Sequence, residues 1–206
     1  MQHKPNNMKK TFLILAAALS FAACSTNNTD NDSANTQFVS DGQWHKITPE
    51  EIPGNFVTAM NDGMLLTAGH EGDLNTMTIG WGEIGKLWRR PVITVYVSSS
   101  RYTYEFMENN NYFTVTGFPA EYKNNVMYMG KHSGRDGDKI ADGGLHTEFT
   151  DMGNPIFTEA NIAIECRKMY QCVLDTTMAP TDCRDIYSRF GPHTMYVGEI
   201  VNVYRK

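Results

Sequence analysis

A group of hydroxyls and one arginine interrupts an apolar run at residues 95–106, which reads VYVSSSRYTYEF. Five side chains form the group: Ser98, Ser99, Ser100, Arg101 and Thr103. They can converge on one anion if Thr103 caps a helix that begins at Tyr104, because helix N-termini attract negative charge. Phosphate fits best, since arginine binds it through paired, charge-assisted hydrogen bonds. Glu105 suits the helix dipole but would repel an anion placed too near. A helix cap beside a solvated arginine is the alternative.

A second polar cluster, LNTMTIGWG at 74–82, has the composition of a loop that contacts a flat ligand. Asn75 and Thr78 offer donors and acceptors, Gly80 lets the backbone approach closely, and Trp81 can cover a ring. A strand with a glycine bulge and a core tryptophan is the competing interpretation. The overlapping GWGEIG matches the dinucleotide fingerprint formally, but Pro91 follows too soon for the helix which that fingerprint must open.

The third cluster, GKHSGRDGDK at 130–139, places two lysines, one arginine and three glycines in one loop. Ser133, Gly134, Arg135 and Lys139 are candidates to face an anionic or electron-rich ligand. A solvated loop explains the same composition.

Strand-forming segments dominate the rest of the chain. They are NFVTAMN, GMLLTAGH, PVITVYV, NYFTVTGF, ANIAIECRKMYQCVL and HTMYVGEIVNVYR, rich in Val, Ile, Thr, Tyr and Phe and bounded by Gly, Pro, Asn and Asp. Short helices are predicted at about 103–109, 119–129 and 136–141. This pattern predicts a mainly β domain with short helices, and favours a closed or partly closed barrel over a parallel α/β sheet.

The N-terminus predicts export. A basic start, an apolar run from Phe12 to Leu19 and small residues before Cys24 are typical of a bacterial lipoprotein signal at 1–23, with Cys24 acylated. A polar tether at 24–43 and one domain at 44–206 follow. Without 1–23 the chain has 15 basic and 23 acidic residues, a formal charge of -8, which argues against nucleic-acid binding.

Three cysteines remain in the predicted domain: Cys166, Cys172 and Cys183. Their spacing matches no zinc motif, and they allow at most one internal disulfide.

The order of the three clusters, with HTMYVGEIV closing the chain, resembles the flavin reductase-like family of FMN-binding split β-barrels, especially its flavoredoxin-like branch, over about residues 46–206. The resemblance implies a homodimer with FMN at the subunit interface. It implies that the flavin ring and ribityl chain lie along Asn75, Met77, Thr78 and Trp81, beside Gly80. It assigns the FMN phosphate to Arg101, Thr103 and the three serines, closure of the site to Ser133, Gly134 and Lys139, and the docking of an electron donor to His193. A further basic residue is expected in this family where the chain has Ser98.

Two kinds of function therefore compete. The first is an exported, membrane-tethered FMN oxidoreductase that receives electrons from NAD(P)H or from a membrane or protein donor. The second is a non-enzymatic ligand-binding lipoprotein that keeps the split barrel and has lost flavin.

Overall fold

A computed structural model describes residues 41–206. The predicted signal at 1–23, Cys24 and most of the tether at 24–43 lie outside the described residues. Among the described helices, none combines the length and apolarity needed to cross a membrane.

Residues 41–206 form ten β-strands, five α-helices and four short 3-10 turns. The strands are β1 (His45–Ile47), β2 (Met64–His70), β3 (Asp73–Ile79), β4 (Gly82–Leu87), β5 (Arg90–Ser98), β6 (Tyr112–Gly117), β7 (Thr147–Phe149), β8 (Pro155–Phe157), β9 (Ile162–Val173) and β10 (His193–Arg205). The helices are α1 (Phe56–Asp62), α2 (Tyr102–Asn109), α3 (Lys123–Lys131), α4 (Lys139–Asp142) and α5 (Arg184–Phe190). The 3-10 turns are Pro49–Glu51, Ala120–Tyr122, Thr176–Met178 and Thr181–Cys183.

The main sheet is antiparallel, in the order β3-β2-β6-β9-β10-β5-β4, with β1 added to the far end of β10. Its edge strands β3 and β4 follow each other in the chain through Gly80 and Trp81, yet their backbones do not pair. The sheet therefore curls around its core and stays split between β3 and β4. The predicted mainly β fold with short helices and an incompletely closed barrel is confirmed.

The core lies inside this curled sheet. The long antiparallel strands β9 and β10 lie in the middle of the sheet. Phe113, Ile164 and Tyr196 are among the fully buried side chains of the core. Gly198 of β10 permits the packing, since a Cβ there would lie 2.5 Å from the Phe113 ring. The close approach of backbone and aromatic ring explains why a glycine stands in the middle of a strand.

The segment NFVTAMN, predicted as a strand, is helix α1. The Asn55 side chain accepts hydrogen bonds from the backbone N–H groups of Val57 at 2.9 Å and Thr58 at 3.2 Å, and Gly63 ends the helix at φ +90°. Phe56 and Met60, four residues apart, pack on the same core. Local capping and this helical spacing outweigh the β propensity of the segment.

The three helices predicted after residue 100 are confirmed with shifted ends. Helix α2 begins at Tyr102, α3 follows a 3-10 turn and ends at Lys131, and α4 spans only Lys139–Asp142. Helix α5 was not predicted, because its sequence is polar and lacks a clear apolar stripe. The three cysteines within residues 41–206 are free thiols, and Cys166 is fully buried.

Candidate functional site

Two adjoining cavities lie where β3, the end of β5, the start of α2 and the loop 130–139 meet. Their volumes are about 180 and 150 Å³, and both are lined by Met77, Thr78 and Arg101. We name the larger one the anion cavity and the smaller one the aromatic cavity. Of the fourteen residues predicted to bind cofactor or donor, twelve line one or both: Asn75, Met77, Thr78, Gly80, Trp81, Ser98, Ser100, Arg101, Thr103, Ser133, Lys139 and His193. Ser99 and Gly134 lie outside both linings.

The anion cavity is formed by a tight turn between β5 and α2. The Arg101 N–H donates to the Ser98 carbonyl at 3.0 Å, and the Ser100 N–H donates to the Ser98 hydroxyl at 3.2 Å. This turn places Arg101 at the N-cap position, so α2 begins at Tyr102 and the predicted cap at Thr103 is wrong. Arg101 makes no side-chain cap bond. The Tyr104 N–H donates to the Arg101 carbonyl at 3.0 Å, whereas the N–H groups of Tyr102 and Thr103 precede the first bond of the helix. Those donors can serve an anion.

Thr103 has a different role from the predicted cap. It is buried in the first turn, and its hydroxyl accepts a hydrogen bond from the Asn75 side-chain amide at 2.8 Å. Asn75 is itself only 4% exposed. A Cβ on Gly134 would lie 2.2 Å from the side-chain amide oxygen of Asn75, so the glycine lets the 130–139 loop approach β3. Gly134 therefore supports the site without lining either cavity.

The three serines differ in their contacts. Ser98 is 2% exposed, and its hydroxyl donates to the Phe190 carbonyl and lies 2.9 Å from the Ser100 hydroxyl. Ser99 is exposed, and its N–H donates to the Pro192 carbonyl at 3.4 Å. Of the three, Ser100 lines the anion cavity. Ser98 and Ser99 therefore hydrogen-bond to the segment 190–192 that precedes β10. This contact does not support Ser99 as a phosphate ligand.

Lys139 is the buried cation of the site, with 6% exposure. Its ammonium donates to the carbonyls of Met129 at 3.0 Å and His132 at 3.1 Å, where α3 ends. The negative end of a helix stabilises a cation there, and one of the three ammonium donors remains for a ligand. Burial, with the Arg101 charge as a smaller cause, lowers the pKa of Lys139 to about 8. Lys139 is therefore mostly protonated at pH 7.

The anion cavity is lined by two positively charged side chains, Arg101 and Lys139. Within residues 41–206, no carboxylate lies in ion-pair distance of Arg101 or Lys139. Glu105, in the first turn of α2, is instead paired with Arg135, whose guanidinium lies 4.5 Å from the Tyr102 ring centre. This pair ties the 130–139 loop to α2 and neutralises the acid expected to repel an anion.

Thr78 joins β3 to helix α3. Its hydroxyl donates to the Val126 carbonyl, and a Cβ on Gly130 would lie 2.9 Å from the same hydroxyl oxygen. The hydroxyl is therefore committed to the fold. Thr78 lines both cavities, and its hydroxyl oxygen can still accept a hydrogen bond although its proton is used in the fold.

The aromatic cavity has a wall of rings. Trp81 is 42% exposed, so it is not the core tryptophan of the alternative interpretation, and its ring centre lies 4.9 Å from that of His193. From α5, Phe190 lines the cavity with its ring 5.9 Å from the Arg101 guanidinium, and the Tyr187 ring packs against His193 at 5.9 Å without lining the cavity. Such a wall suits a flat, conjugated ligand.

His193 opens β10 with its ring partly buried. Burial, then the Arg101 charge, lowers its pKa against a raising hydrogen bond with Gly191, so the imidazole is neutral at pH 7. Its Nδ1 lies 3.1 Å from the Gly191 carbonyl, which can only accept. Nδ1 therefore carries the proton and Nε2 is left as an acceptor.

Sequence reasoning missed Phe190 and Tyr102. Phe190 lines the aromatic cavity from the end of α5, 89 positions after Arg101, and no local pattern marks it. Tyr102 lines the anion cavity directly beside Arg101, and its position next to that arginine was an available signal.

A protein-family profile described as a flavin reductase like domain matches residues 61–206. No curated protein matches the chain. Among solved structures, the chain is similar to a flavoredoxin from Methanosarcina acetivorans, with 25% identity over 70% of this chain and 68% of that one and a TM-score of 0.55. It is also similar to an FMN-binding domain of a flavin reductase-like enzyme from Shewanella baltica, with 15% identity over 81% and 79% and a TM-score of 0.57. An FMN-binding protein from Thermus thermophilus with bound p-hydroxybenzaldehyde shares 24% identity over 70% and 71%, with a TM-score of 0.55.

Proposed function

Since the chain belongs to the flavin reductase-like domain family, we propose that it is an FMN-dependent oxidoreductase. The observation that carries the proposal is the pair of cations, Arg101 and Lys139, which line one cavity beside the aromatic cavity and have no carboxylate in ion-pair distance within residues 41–206. Arg101 lies at the N-terminus of α2, and the Lys139 ammonium lies at the C-terminal end of α3. A phosphate joined to a flat ring matches this combination of charge and shape.

The residues present fit FMN. Arg101, Lys139, Ser100 and the first N–H groups of α2 would hold the phosphate. Trp81, with Met77 and Gly80, would lie along the ring. Bound FMN supplies hydride and electron transfer, while the protein binds it, orients it and excludes competing reactions.

His193 is the residue proposed to act at the flavin face. Its Nε2 acceptor can position a donor group of the reductant, and its neutral state keeps positive charge at the phosphate end of the site. The reductant is NAD(P)H or a membrane or protein donor. Anaerobic addition of NADH and of NADPH distinguishes these donors. If the bound flavin stays oxidised with both nicotinamides but is reduced by dithionite, direct oxidation of a nicotinamide is excluded.

A homodimer is part of the proposal. Trp88 at the tip of the β4–β5 hairpin and Tyr170 on β9 are 62% and 46% exposed, and their ring centres lie 6.3 Å apart. Exposed aromatic pairs of this kind are typical of protein interfaces. Sedimentation velocity should give a dimer, and Trp88→Glu should shift it towards monomer; a monomeric wild-type protein contradicts this part.

Export and lipid anchoring are proposed from the sequence at 1–24. Metabolic labelling with a fatty acid should depend on Cys24, and label retained in Cys24→Ser refutes acylation there.

The visible spectrum of the purified protein tests the flavin proposal. We expect flavin absorbance, either as isolated or after addition of FMN. A protein that stays colourless and binds no added FMN is instead the ligand-binding lipoprotein. A contact on the side of that alternative is the hydrogen bond from the Ser98 hydroxyl to the Phe190 carbonyl, which removes one hydroxyl from the predicted phosphate ligands.

A further inference from the structure

A third cavity lies between the sheet and the segment that covers it, where α1 packs on β4 and the turn Pro49–Glu51 packs on β10. Its volume is about 400 Å³, within the range of small-molecule sites. Six aliphatic side chains from the sheet and the covering segment line it: Ile52, Met64, Ile84, Ile162, Ile164 and Ile200. None of them lines the anion or aromatic cavity. The cavity is therefore a separate feature, and we name it the aliphatic cavity.

The interior of the aliphatic cavity offers no polar side chain. Its one aromatic residue is Phe56, and its two charged residues, Glu50 and Lys86, are exposed and so lie at the mouth. Neither makes an ion pair within residues 41–206. Sugars, nucleotides and other polar ligands would lose their hydrogen bonds inside. The lining selects hydrocarbon.

We propose that the aliphatic cavity binds the hydrocarbon chain of a single-chain amphiphile, with its head group at the mouth. Isoleucine side chains from three strands of the sheet, β4, β9 and β10, face Ile52 and Phe56 of the covering segment, so the walls consist of branched aliphatic groups and suit a flexible chain better than a rigid planar ring. Glu50 and Lys86 carry opposite charges, so the mouth has no net charge to select a head group. This ligand is additional to FMN, and its binding does not depend on the flavin proposal.

Chain length should dominate the affinity. Each added methylene that enters the cavity should strengthen binding about fourfold, the ratio that ~0.8 kcal/mol per buried CH₂ gives. The increase should stop when the chain fills the cavity. An alcohol and a carboxylate of equal length should bind within about fivefold of each other, because exposed charges contribute little.

Calorimetric titration of the protein produced without residues 1–24, so that it carries no signal and no acyl chain and needs no detergent, with hexanol, octanol, decanol and the matching carboxylates tests this. Ala59→Phe fills the cavity from α1 and should abolish binding, and Ile84→Phe on β4 provides a second filled variant should the first fail to fold. Val57→Phe is the matched control, since Val57 lies on the same helix, is 70% exposed and does not line the cavity. Thermal unfolding checks that each variant folds.

Binding that rises with chain length in wild type and Val57→Phe, and is lost in the folded filled variants, supports the proposal. Wild-type protein that binds no amphiphile, affinity independent of chain length, or equal binding by the filled variants overturns it. Flavin binding can be measured on the same samples, so failure of this proposal is distinguishable from failure of the proposed function.

Discussion

Replacing Arg101 by alanine should weaken FMN binding about 30-fold. Arg101 lies at the N-cap of α2, and within residues 41–206 no carboxylate lies in ion-pair distance of it, so its charge is available to a phosphate. A hydrogen bond to a charged group contributes about 1.5–3 kcal/mol. We take ~2 kcal/mol, in the lower half of this range, which corresponds to ~30-fold. Part of the loss is offset, because removal of the Arg101 charge also removes a cause that lowers the pKa of Lys139 and so leaves more Lys139 protonated.

Riboflavin lacks the phosphate and separates this effect from a general disruption of the site. Titration by flavin fluorescence should show that Arg101→Ala lowers the affinity for FMN and changes that for riboflavin less than about threefold. Arg189→Ala is the control, since Arg189 also lies near the Phe190 ring, at 5.1 Å, but lines neither cavity. Unchanged FMN affinity, or equal losses for both flavins, refutes the assignment of Arg101 to the phosphate.

Three further predictions concern the same site. Because burial lowers the pKa of Lys139 to about 8, the affinity for FMN should change little between about pH 7, where the phosphate is almost fully ionised, and pH 8, and should fall above pH 8 as the ammonium deprotonates. Lys139→Met should bind FMN more weakly and lack this fall, and a flat wild-type profile above pH 7 contradicts the role of Lys139. Gly134→Ala places a Cβ 2.2 Å from the side-chain amide oxygen of Asn75, so it should lower the free energy of unfolding by about 1–3 kcal/mol and weaken FMN binding. Gly85→Ala is the control, because there is open space around Gly85, and it should change FMN binding little. Equal effects of the two substitutions in denaturation and titration refute the packing argument. His193→Ala should slow flavin reduction in stopped-flow assays at least about tenfold with near-normal FMN affinity, as expected for a group that acts on the reductant; an unchanged rate removes His193 from that role.

The sequence predicted the parts of the fold that depend on local pattern. Alternating β-branched and aromatic residues identified β5, β9 and β10, and the three polar clusters identified most residues around the two cavities. The failures have local causes too. In α1, the Asn55 cap and Gly63 outweighed β propensity, and in α2 the turn at Ser98 moved the helix start two residues earlier.

Features that join distant segments could not be predicted from spacing. The placement of β6 between β2 and β9, the contact of Phe190 with Arg101, and the pairing of Arg135 with Glu105 all depend on tertiary packing. The Ser98 hydroxyl shows the same limit: its type suits a phosphate ligand, but the fold uses it to hold Phe190.

The most direct test of the account is equilibrium titration of the purified protein with FMN and riboflavin in parallel. Arg101 and Lys139 have no carboxylate partner within the described part of the chain. They predict that FMN binds with one site per chain and at least about tenfold more tightly than riboflavin, and that the difference shrinks in Arg101→Ala. Failure to bind FMN, or equal affinity for both flavins in the wild-type protein, contradicts the claim that this junction is a flavin phosphate site.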